Sequence, residues 1–396
     1  MLKVSGAVRL KRGADRRIAQ GYRWVFSNEL QPAGVPREPA LVELVDDRGV
    51  FRGIATYNPR SLIAARIMSF ERLDGIGRDY FMQRLEDAVE RRRRLGYDTR
   101  FCRIVYGESD SVPGLVVDRY GAVFAVQYFS AGMQALSSSV VEALAAVFDP
   151  EVVVARNDFA LRAYEGLDEH RAVLLTRAGG VPDTTITIEH LAERYVVDVM
   201  SGQKTGFYYD QRENRRHFSA LTAGRRVLDL CSYTGSFGVT AARAGATEVV
   251  CVDASAQALS VARENARLNR TECVLVQADV DEYLTEALTR SERFDVVMFD
   301  PPSYAHARKD LPRAVRKYVQ NCRDIVRCLN PGGVLCVAVC SYHVGWDDMR
   351  TIVAQALAKA GRDGYIVHYG IQAADHPILA AMRETEYLKF LTVGVR

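Results

Sequence analysis

The sequence DLCSYTGSFG, residues 229–238, gives the clearest indication of the fold. It begins at the end of an apolar strand-like run, and four other runs in this half of the chain also end in a charged or reactive side chain. The five end residues are Asp229, Asp253, Asp279, Asp300 and Cys340. Because an open parallel sheet binds its ligand beyond the carboxyl ends of its strands, we expect all five side chains to line one pocket.

Strands and helices alternate strictly from about residue 200. The apolar runs are RVLDL, EVVCVD, CVLVQAD, FDVVMFD and GVLCVAVC. Helices are predicted between them, at 235–244, 256–268, 280–291 and 311–329. Near-continuous apolar strands joined by helices are typical of a parallel sheet covered on both faces, so the fold class is α/β.

The 396 residues are too many for one ordinary core and predict two or three domains. We predict a small β-barrel at residues 1–72. Residues 73–190 would hold a linker helix (78–96) and an α+β domain with a helix at 132–148. Residues 191–396 would form the domain in which strands and helices alternate. The barrel strands are predicted in AVRLKRG, GYRWVFSNEL, ALVELVDD, VFRGIATYN and LIAARIMSF.

Composition and cysteine content indicate the cell compartment in which the protein is expected. Hydrophobic residues make up 48% and charged residues 26%, no apolar run approaches a membrane span, and MLKVSGAVRLKRG lacks an apolar signal segment. We therefore expect a cytoplasmic protein. The eight cysteines include no C-x-x-C pair, which favours free thiols, and the seven histidines have no metal spacing, so we assign no metal.

Charge is distributed unevenly although the net charge is only +3. The segment 3–23 carries seven basic residues against the single acid Asp15, and such a patch attracts phosphates. The basic residues are Lys3, Arg9, Lys11, Arg12, Arg16, Arg17 and Arg23. The alternative is that they only solubilise a small barrel. We interpret the second basic run, Arg91–Arg94, as a solvated helix face, with the apolar residues from Phe81 to Leu95 turned inward.

The acidic strand ends indicate the ligand. A dinucleotide fold would carry Gly-x-Gly-x-x-Gly after its first strand, whereas this loop has only Gly235 and Gly238 and places Asp229 before them. A carboxylate there repels a pyrophosphate but suits the cationic S-adenosylmethionine. Asp253 is placed to bind the ribose hydroxyls, and Asp279 to accept from the adenine amino group.

The strings DPPSY (300–304) and CS (340–341) suggest the chemistry. Two prolines fix a rigid loop that presents Asp300 to a planar substrate stacking on Tyr304. For an exocyclic amine target this loop suffices, but C5 of a cytosine needs a thiolate at C6, a role that Cys340 can fill. Asp300 would then hydrogen-bond or protonate N3. The alternative is that Cys340 is a buried core cysteine like Cys336.

Over nearly its whole length the chain resembles the rRNA large-subunit methyltransferases of the 5-methylcytosine type that carry an N-terminal PUA domain. The strings that carry this resemblance are GYRWVFSNEL (21–30), YGESDSVPGLVVDRYG (106–121), KTGFYYDQRENR (204–215), CSYTGSFGV (231–239), DPPSY, CS and QAADHP (372–377). It implies a class I S-adenosylmethionine-dependent methyltransferase fold, Rossmann-like, with a seven-stranded sheet and a reversed last strand at EYLKFLTVGV (386–395). This fold would be preceded by a PUA-like β-barrel and a small α+β domain.

The resemblance also implies the site residues and the partner. Cys340 would be the nucleophile, and Lys204 to Arg212 would pack over the cofactor, with Tyr208, Asp210 and Gln211 as candidates. The cofactor loop contributes Cys231, Ser232, Tyr233, Gly235 and Phe237. Substrate contacts are expected from Pro301, Pro302, Tyr304, Arg9, Lys11 and Arg12. The partner would be rRNA of the large subunit or its assembly intermediate, bound by the first two domains; no membrane is involved, and a homodimer is left open.

Two departures from the family pattern leave alternatives. The family usually carries Lys after the double proline and Gly after Cys-Ser, where this chain has Ser303 and Tyr342. Ser303 cannot serve as the second thiol of two-cysteine RNA methyltransferases, so water or another base must remove the C5 proton. N-methylation of guanine or adenine is the alternative within enzymes. An inactive RNA-binding assembly factor is the alternative from another class.

Overall fold

The chain forms two units in its computed structural model, which describes residues 1–32, 34, 36–177, 179–305 and 307–396. The first unit comprises Met1–Ile188, Val197–Tyr209 and Ala374–Thr385. The second comprises Glu189–Val196, Asp210–Ala373 and Glu386–Arg396. No helix in the described ranges is long and apolar enough to cross a bilayer.

The first unit opens with a six-stranded sheet. Its strands are β1 (Leu2–Arg9), β2 (Trp24–Val25), β3 (Ala40–Val45), β4 (Phe51–Tyr57), β5 (Ala65–Ser69) and β6 (Gly75–Ile76), with the short helix α1 (Asp15–Ile18) after β1. They lie in the order β2-β5-β4-β3-β1-β6, and β1 pairs with β3 in parallel. The strand predicted in GYRWVFSNEL is only two residues long, because a 3-10 turn at Ser27–Glu29 follows it and the Glu29 carboxylate accepts from the Phe26 N–H.

A five-stranded sheet follows in the same unit, in the order β11-β10-β9-β8-β7. Its elements are α2 (Arg78–Arg94), β7 (Phe101–Tyr106), β8 (Leu115–Tyr120), β9 (Val123–Tyr128), α3 (Ala131–Ala135), α4 (Ser137–Phe148), β10 (Val152–Asn157) and β11 (His170–Thr176). Helices α2 and α4 pack in one apolar core with β7, β8 and β9. The helix predicted at 132–148 is interrupted at Leu136.

The interpretation of Arg91–Arg94 as a solvated helix face is wrong for Arg92. Its side chain is only 1% exposed, and its guanidinium donates to both Asp110 carboxylate oxygens at 2.6 and 2.7 Å. Arg91 also pairs with Asp110, whereas Arg93 and Arg94 lie at the surface and pair with Glu90. Leu95, predicted to face inward, is 58% exposed because α2 ends one residue before it.

The strands β12 (Thr185–His190) and β13 (Glu193–Asp198) form a two-stranded sheet where the chain passes from the first unit to the second. The second unit then alternates helices and strands. They are α5 (Arg212–Ser219), β14 (Arg226–Leu230), α6 (Ser236–Arg243), β15 (Glu248–Asp253), α7 (Ala256–Leu268), β16 (Val274–Gln277), α8 (Val280–Thr289), β17 (Phe294–Phe299), α9 (Leu311–Cys328), β18 (Leu329–Cys340), α10 (Trp346–Ala360), β19 (Gly364–Ile371) and β20 (Leu388–Val395).

These seven strands, β14 to β20, form one sheet in the order β16-β15-β14-β17-β18-β20-β19. The first five run parallel, and β20 runs antiparallel to both β18 and β19, so the predicted reversed last strand is confirmed. One face packs against α8, α9 and α10, and the other against α5 and α6. Helices on both faces explain why the strands are almost continuously apolar.

Candidate active site

Strand register brings the acidic strand ends to one edge of the seven-stranded sheet. Leu230, the last residue of β14, lies opposite Val252 of β15 and Phe299 of β17. Asp253 and Asp300 each follow those partners by one residue, and Asp229 precedes Leu230 by one. The three carboxylates therefore occupy neighbouring positions at the carboxyl ends of three adjacent strands, where open sheets of this type bind ligands.

The loop after β14 is sharply turned. Cys231 and Tyr233 have positive φ values of 59° and 49°, and Gly235 has φ 74° before the first turn of α6. Gly238 allows close packing: a Cβ added there would collide with Cys251 Sγ and lie 3.4 Å from Asp229 Oδ2. Its N–H donates to Asp229 Oδ2 at 2.9 Å. Glycine thus lets the helix reach the first carboxylate.

Asp229 is buried with half of its carboxylate unused. It is 1% exposed, and among the described residues no donor lies within hydrogen-bond distance of its Oδ1 atom. Burial, reinforced by the charges of Asp300 and Asp253, raises the pKa of Asp229 to about 8, although the Gly238 N–H opposes this. Ser232 Oγ, also buried, likewise lacks a partner in the described part of the chain. A cationic ligand with a hydrogen-bond donor fits this site.

The other two predicted cofactor acids are more accessible. Asp253 is half-buried and accepts from the backbone N–H of Tyr233 at 2.8 Å and of Ser255 at 2.9 Å. Asp279 is exposed and caps α8 by accepting from the Asp281 N–H. Both lie on the chain just after or at the end of β15 and β16, at the same sheet edge. Burial and neighbouring carboxylates raise the pKa of the Cys231 thiol.

The remaining predicted cofactor residues lie in different environments. Gln211 is buried and donates to Asp300 Oδ2 at 2.9 Å. The ring of Phe237, 5% exposed, packs edge-on against Phe218 in the core under α5 and α6, and its cofactor role stays a prediction. Tyr208 belongs to the first unit, where its hydroxyl donates to Gln203 and Lys204 lies over its ring. The cofactor role of Tyr208 stays a prediction.

Cys340 is the last residue of β18 and is half-buried, while Cys336 in the same strand is fully buried. Burial raises the pKa of Cys336 to about 12. Cys340 and Asp300 both lie close enough to the phenol of Tyr318 in α9 to influence its pKa, which burial raises. The two predicted catalytic residues thus both lie near the same tyrosine.

The DPPSY loop is ordered by its own contacts. Pro301 is buried and Pro302 is exposed. The Tyr304 ring packs against Tyr318 with ring centroids 4.6 Å apart. Ser303 Oγ donates to the Ala305 carbonyl at 3.0 Å. The loop therefore presents one proline and part of one aromatic ring to the surface.

The predicted basic patch is smaller than the sequence suggests. Arg9, Lys11 and Arg12 are exposed, and the first two donate to backbone carbonyls of the same sheet region. Arg17, in contrast, pairs with Glu29, and Arg23 donates to Ile67 and Ser111 inside the unit. Lys3 and Arg16 are exposed as well, so five of the seven cations are available to a phosphate ligand. The role of Arg9, Lys11 and Arg12 in RNA binding stays a prediction.

Sequence reasoning missed residues that reach this site from β20 and α9. Tyr387 donates to Asp210 Oδ2 at 2.5 Å, which holds the segment before α5 in place. Lys389 donates to the Ser341 carbonyl beside Cys340, and the phenol of Tyr318 is close enough to both Cys340 and Asp300 to be influenced by them. Their positions follow from strand pairing and helix packing, and the only signal in the sequence was the string EYLKFL. In the described residues no group of three or more His, Cys, Asp or Glu side chains could hold a metal ion.

The sheet order and the acidic strand ends fit an enzyme that binds a nucleoside-containing cofactor, and comparison with known proteins identifies its class. Residues 173–365 match the family model for S-adenosylmethionine-dependent methyltransferases, and residues 8–70 match a PUA-like domain. The protein is thus a methyltransferase dependent on S-adenosylmethionine that carries a PUA-like domain, as predicted. A candidate methyltransferase solved in complex with SAH has the same fold, with a TM-score of 0.85, 19% identity, and coverage of 98% of this chain and 100% of that one.

Relatives narrow the assignment. The ribosomal RNA large subunit methyltransferase I of Vibrio cholerae serotype O1 is 36% identical over 98% of this chain and 98% of its own length. The proteins of that name from Klebsiella pneumoniae strain 342 and Aeromonas salmonicida are 34% and 35% identical, covering 96% and 99% of this chain and 96% and 100% of their own lengths. The chain belongs to the ribosomal RNA large subunit methyltransferase I family.

Proposed function

We propose that this methyltransferase modifies C5 of a cytidine in the 23S rRNA of the large ribosomal subunit, through a covalent adduct between Cys340 and the base. The observation that carries the proposal is the half-buried thiol at the end of β18, on the same sheet edge as Asp300 and Asp229. The relatives' names support an rRNA substrate. The other pocket thiol, Cys231, is a poorer nucleophile because burial raises its pKa.

The cofactor site fits the charge of S-adenosylmethionine. Asp229 offers a buried carboxylate oxygen with no partner among the described residues, and burial raises its pKa to about 8. Asp229 would bind the amino group, Asp253 the ribose and Asp279 the adenine, with Cys231, Ser232, Tyr233 and Gly235 forming the loop around them. When bound, the cofactor supplies an electrophilic methyl group to the carbon that the protein has activated.

The protein's own residues would carry out the activation. The Cys340 sulfur bonds to C6 of the cytosine, which breaks the C5–C6 double bond and places electron density on C5. Asp300, held by the Gln211 amide, hydrogen-bonds or protonates N3 and so stabilises the adduct. After methylation, water or another base removes the C5 proton, and the C6–S bond breaks to restore the ring.

Substrate contacts are proposed separately for each unit. Pro301, Pro302 and Tyr304 line the approach to Asp300, and a splayed or flipped base suits a site that contacts the face of a ring. Arg9, Lys11 and Arg12 would contact phosphates. We propose that the two domains predicted at 1–72 and 73–190 bind the RNA, and that the domain predicted at 191–396 carries out methyl transfer.

The test compares Cys340→Ala with Cys336→Ala, a substitution of a buried thiol in the same strand. We expect Cys340→Ala to lose methyl transfer by at least about a thousandfold while cofactor affinity stays near that of the wild type. RNA carrying 5-fluorocytidine, whose C5 substituent cannot leave as a proton, should form a covalent complex with the wild type and with Cys336→Ala only.

Other outcomes point to the alternatives. Full activity in Cys340→Ala, with a methylated guanine or adenine in the digested RNA, would move the reaction to a nitrogen atom. Absence of cofactor binding by the wild type would favour an inactive RNA-binding assembly factor.

A further inference from the structure

A lysine lies buried in the strand next to the proposed nucleophile. Lys389, in β20, is only 5% exposed and pairs with Val339 of β18. Its Nζ donates to the carbonyl oxygen of Ser341 at 3.1 Å. Because burying an ammonium group costs several kcal/mol unless it is paired, a buried lysine that ends on one carbonyl needs an explanation.

The hydrogen bond from Lys389 is one of a set that connects the DPPSY loop (300–304) with the turn after Cys340; we call this set of bonds the brace. Ser341, itself buried, donates through its Oγ to the Ala305 carbonyl at 3.0 Å. Ser303 donates to the same carbonyl at 3.0 Å. The loop that carries Asp300 and the turn that follows Cys340 are thus tied through Ala305, and the lysine fixes the far end of the brace.

Lys389 and Cys340 lie on opposite faces of the sheet. Side chains alternate along a strand, so Lys389 lies on the face of Val339 and Leu391, which is covered by α9 and α10. Cys340 lies on the other face, with Cys336. The ammonium therefore reaches the thiol's turn around the end of β18, through the Ser341 backbone.

Charged and titratable groups face this turn from several elements. Glu386, just before β20, and Asp348 in α10 act on Lys389 and partly oppose the lowering of its pKa by burial. Asp300 and Tyr318 lie on the side of Cys340, and Tyr387 packs against the same core as the thiol. His343 and Tyr342 follow in the turn itself, with ring centroids 5.6 Å apart. Lys389 is a cation that donates directly to the backbone of this turn.

We propose that Lys389 is a positioning residue for Cys340: it fixes the turn that aims the thiol at the base, and its positive charge increases the fraction of the thiol present as thiolate. This inference rests on the proposed function, since it gives Cys340 the role of nucleophile. It adds a residue from β20 to a site otherwise built from the ends of β14 to β18.

The test measures the Cys340 thiol directly, by the pH dependence of its alkylation, read out by peptide mass spectrometry without RNA. Lys389→Met removes charge and donor, Lys389→Gln removes only the charge, and Lys389→Arg keeps both. We expect the alkylation midpoint to rise by about one pH unit in the Met and Gln variants and by less than about 0.3 unit in the Arg variant. Lys359→Met, at an exposed lysine of α10, is the control and should not move the midpoint.

Activity should follow the same order. At neutral pH the Met and Gln variants should lose about tenfold in single-turnover rate and recover part of it as the pH rises, with unchanged cofactor affinity. If Lys389→Gln matches the wild type, the charge has no role; if all three variants match it, the proposal is wrong. An active Cys340→Ala would instead refute the proposed function, while the alkylation midpoints would still test the brace. Should Lys389→Met fail to fold, the Gln and Arg variants decide.

Discussion

The buried carboxylate of Asp229 allows a quantitative prediction about stability and pH. Its folded pKa of about 8 lies far above the ordinary aspartate value of about 3.9, so between these values the native protein holds a proton that the unfolded chain has released. Stability from this group is therefore lost as pH rises through that window, by up to about 1.4 kcal/mol per unit. Asp229→Asn removes the titration, and the amide oxygen can still accept from the Gly238 N–H.

We expect the protein with Asp229→Asn to gain stability relative to the wild type as pH rises, and to lose cofactor affinity. From about pH 5.5 to about pH 7.5 the difference in unfolding free energy should grow by up to about 2.7 kcal/mol, or a melting-temperature difference on the order of 5 °C. Thermal unfolding of the cofactor-free protein across this range measures it, and titration calorimetry with S-adenosylmethionine measures the affinity.

The matched control is Asp253→Asn, because that carboxylate is half-buried and already accepts two backbone hydrogen bonds. Its stability relative to the wild type should change far less with pH. A difference for Asp229→Asn that is constant across the range, or that shifts against the variant as pH rises, would refute the reasoning. Addition of S-adenosylmethionine should stabilise the wild type more than Asp229→Asn.

Two further predictions concern the loop and the basic patch. Gly238→Ala should destabilise the protein by about 2 kcal/mol and abolish cofactor binding, because the new Cβ collides with Cys251 Sγ; Gly345→Ala, where the nearest atom lies 3.5 Å away, is the control in thermal unfolding. Replacing Arg9, Lys11 and Arg12 together should weaken RNA binding and reduce the slope of log affinity against log salt concentration by up to about 2.7. Replacing the exposed Arg93 and Arg94 is the control and should leave the slope unchanged. An unchanged slope in the triple variant would mean that the phosphates contact other surfaces.

The features that could be predicted from sequence are those set by local patterns. Apolar runs alternating with helical segments predict the five parallel strands of the sheet, and acids at the strand ends predict where the cofactor pocket lies, because both depend only on strand period and chain order. The full count of seven strands was expected only from the family resemblance. The antiparallel β20 was correctly expected from the family resemblance. Helix bounds differ from the predicted ones by one or two residues, as at α6 and α8.

The features that could not be predicted depend on partners distant in sequence. Nothing in the periodicity of α2 indicates that Arg92 meets Asp110, so a run of four arginines suggested a solvated surface. Lys389 stands in an apolar strand, and only the pairing of β20 with β18 brings it to Ser341. Phe237 follows the predicted cofactor loop, and only its position in the first turn of α6 brings its ring against Phe218 in the core.

The place of β20 in the sheet has a consequence for biosynthesis. β20 is made after β19 yet inserts between β18 and β19, which do not pair with each other. While residues 388–395 are still inside the ribosomal exit tunnel, β18 has an open edge, β19 has no neighbour, and Lys389 is not yet bonded to the turn after Cys340. A nascent chain should therefore have no methyltransferase activity until this strand has left the exit tunnel.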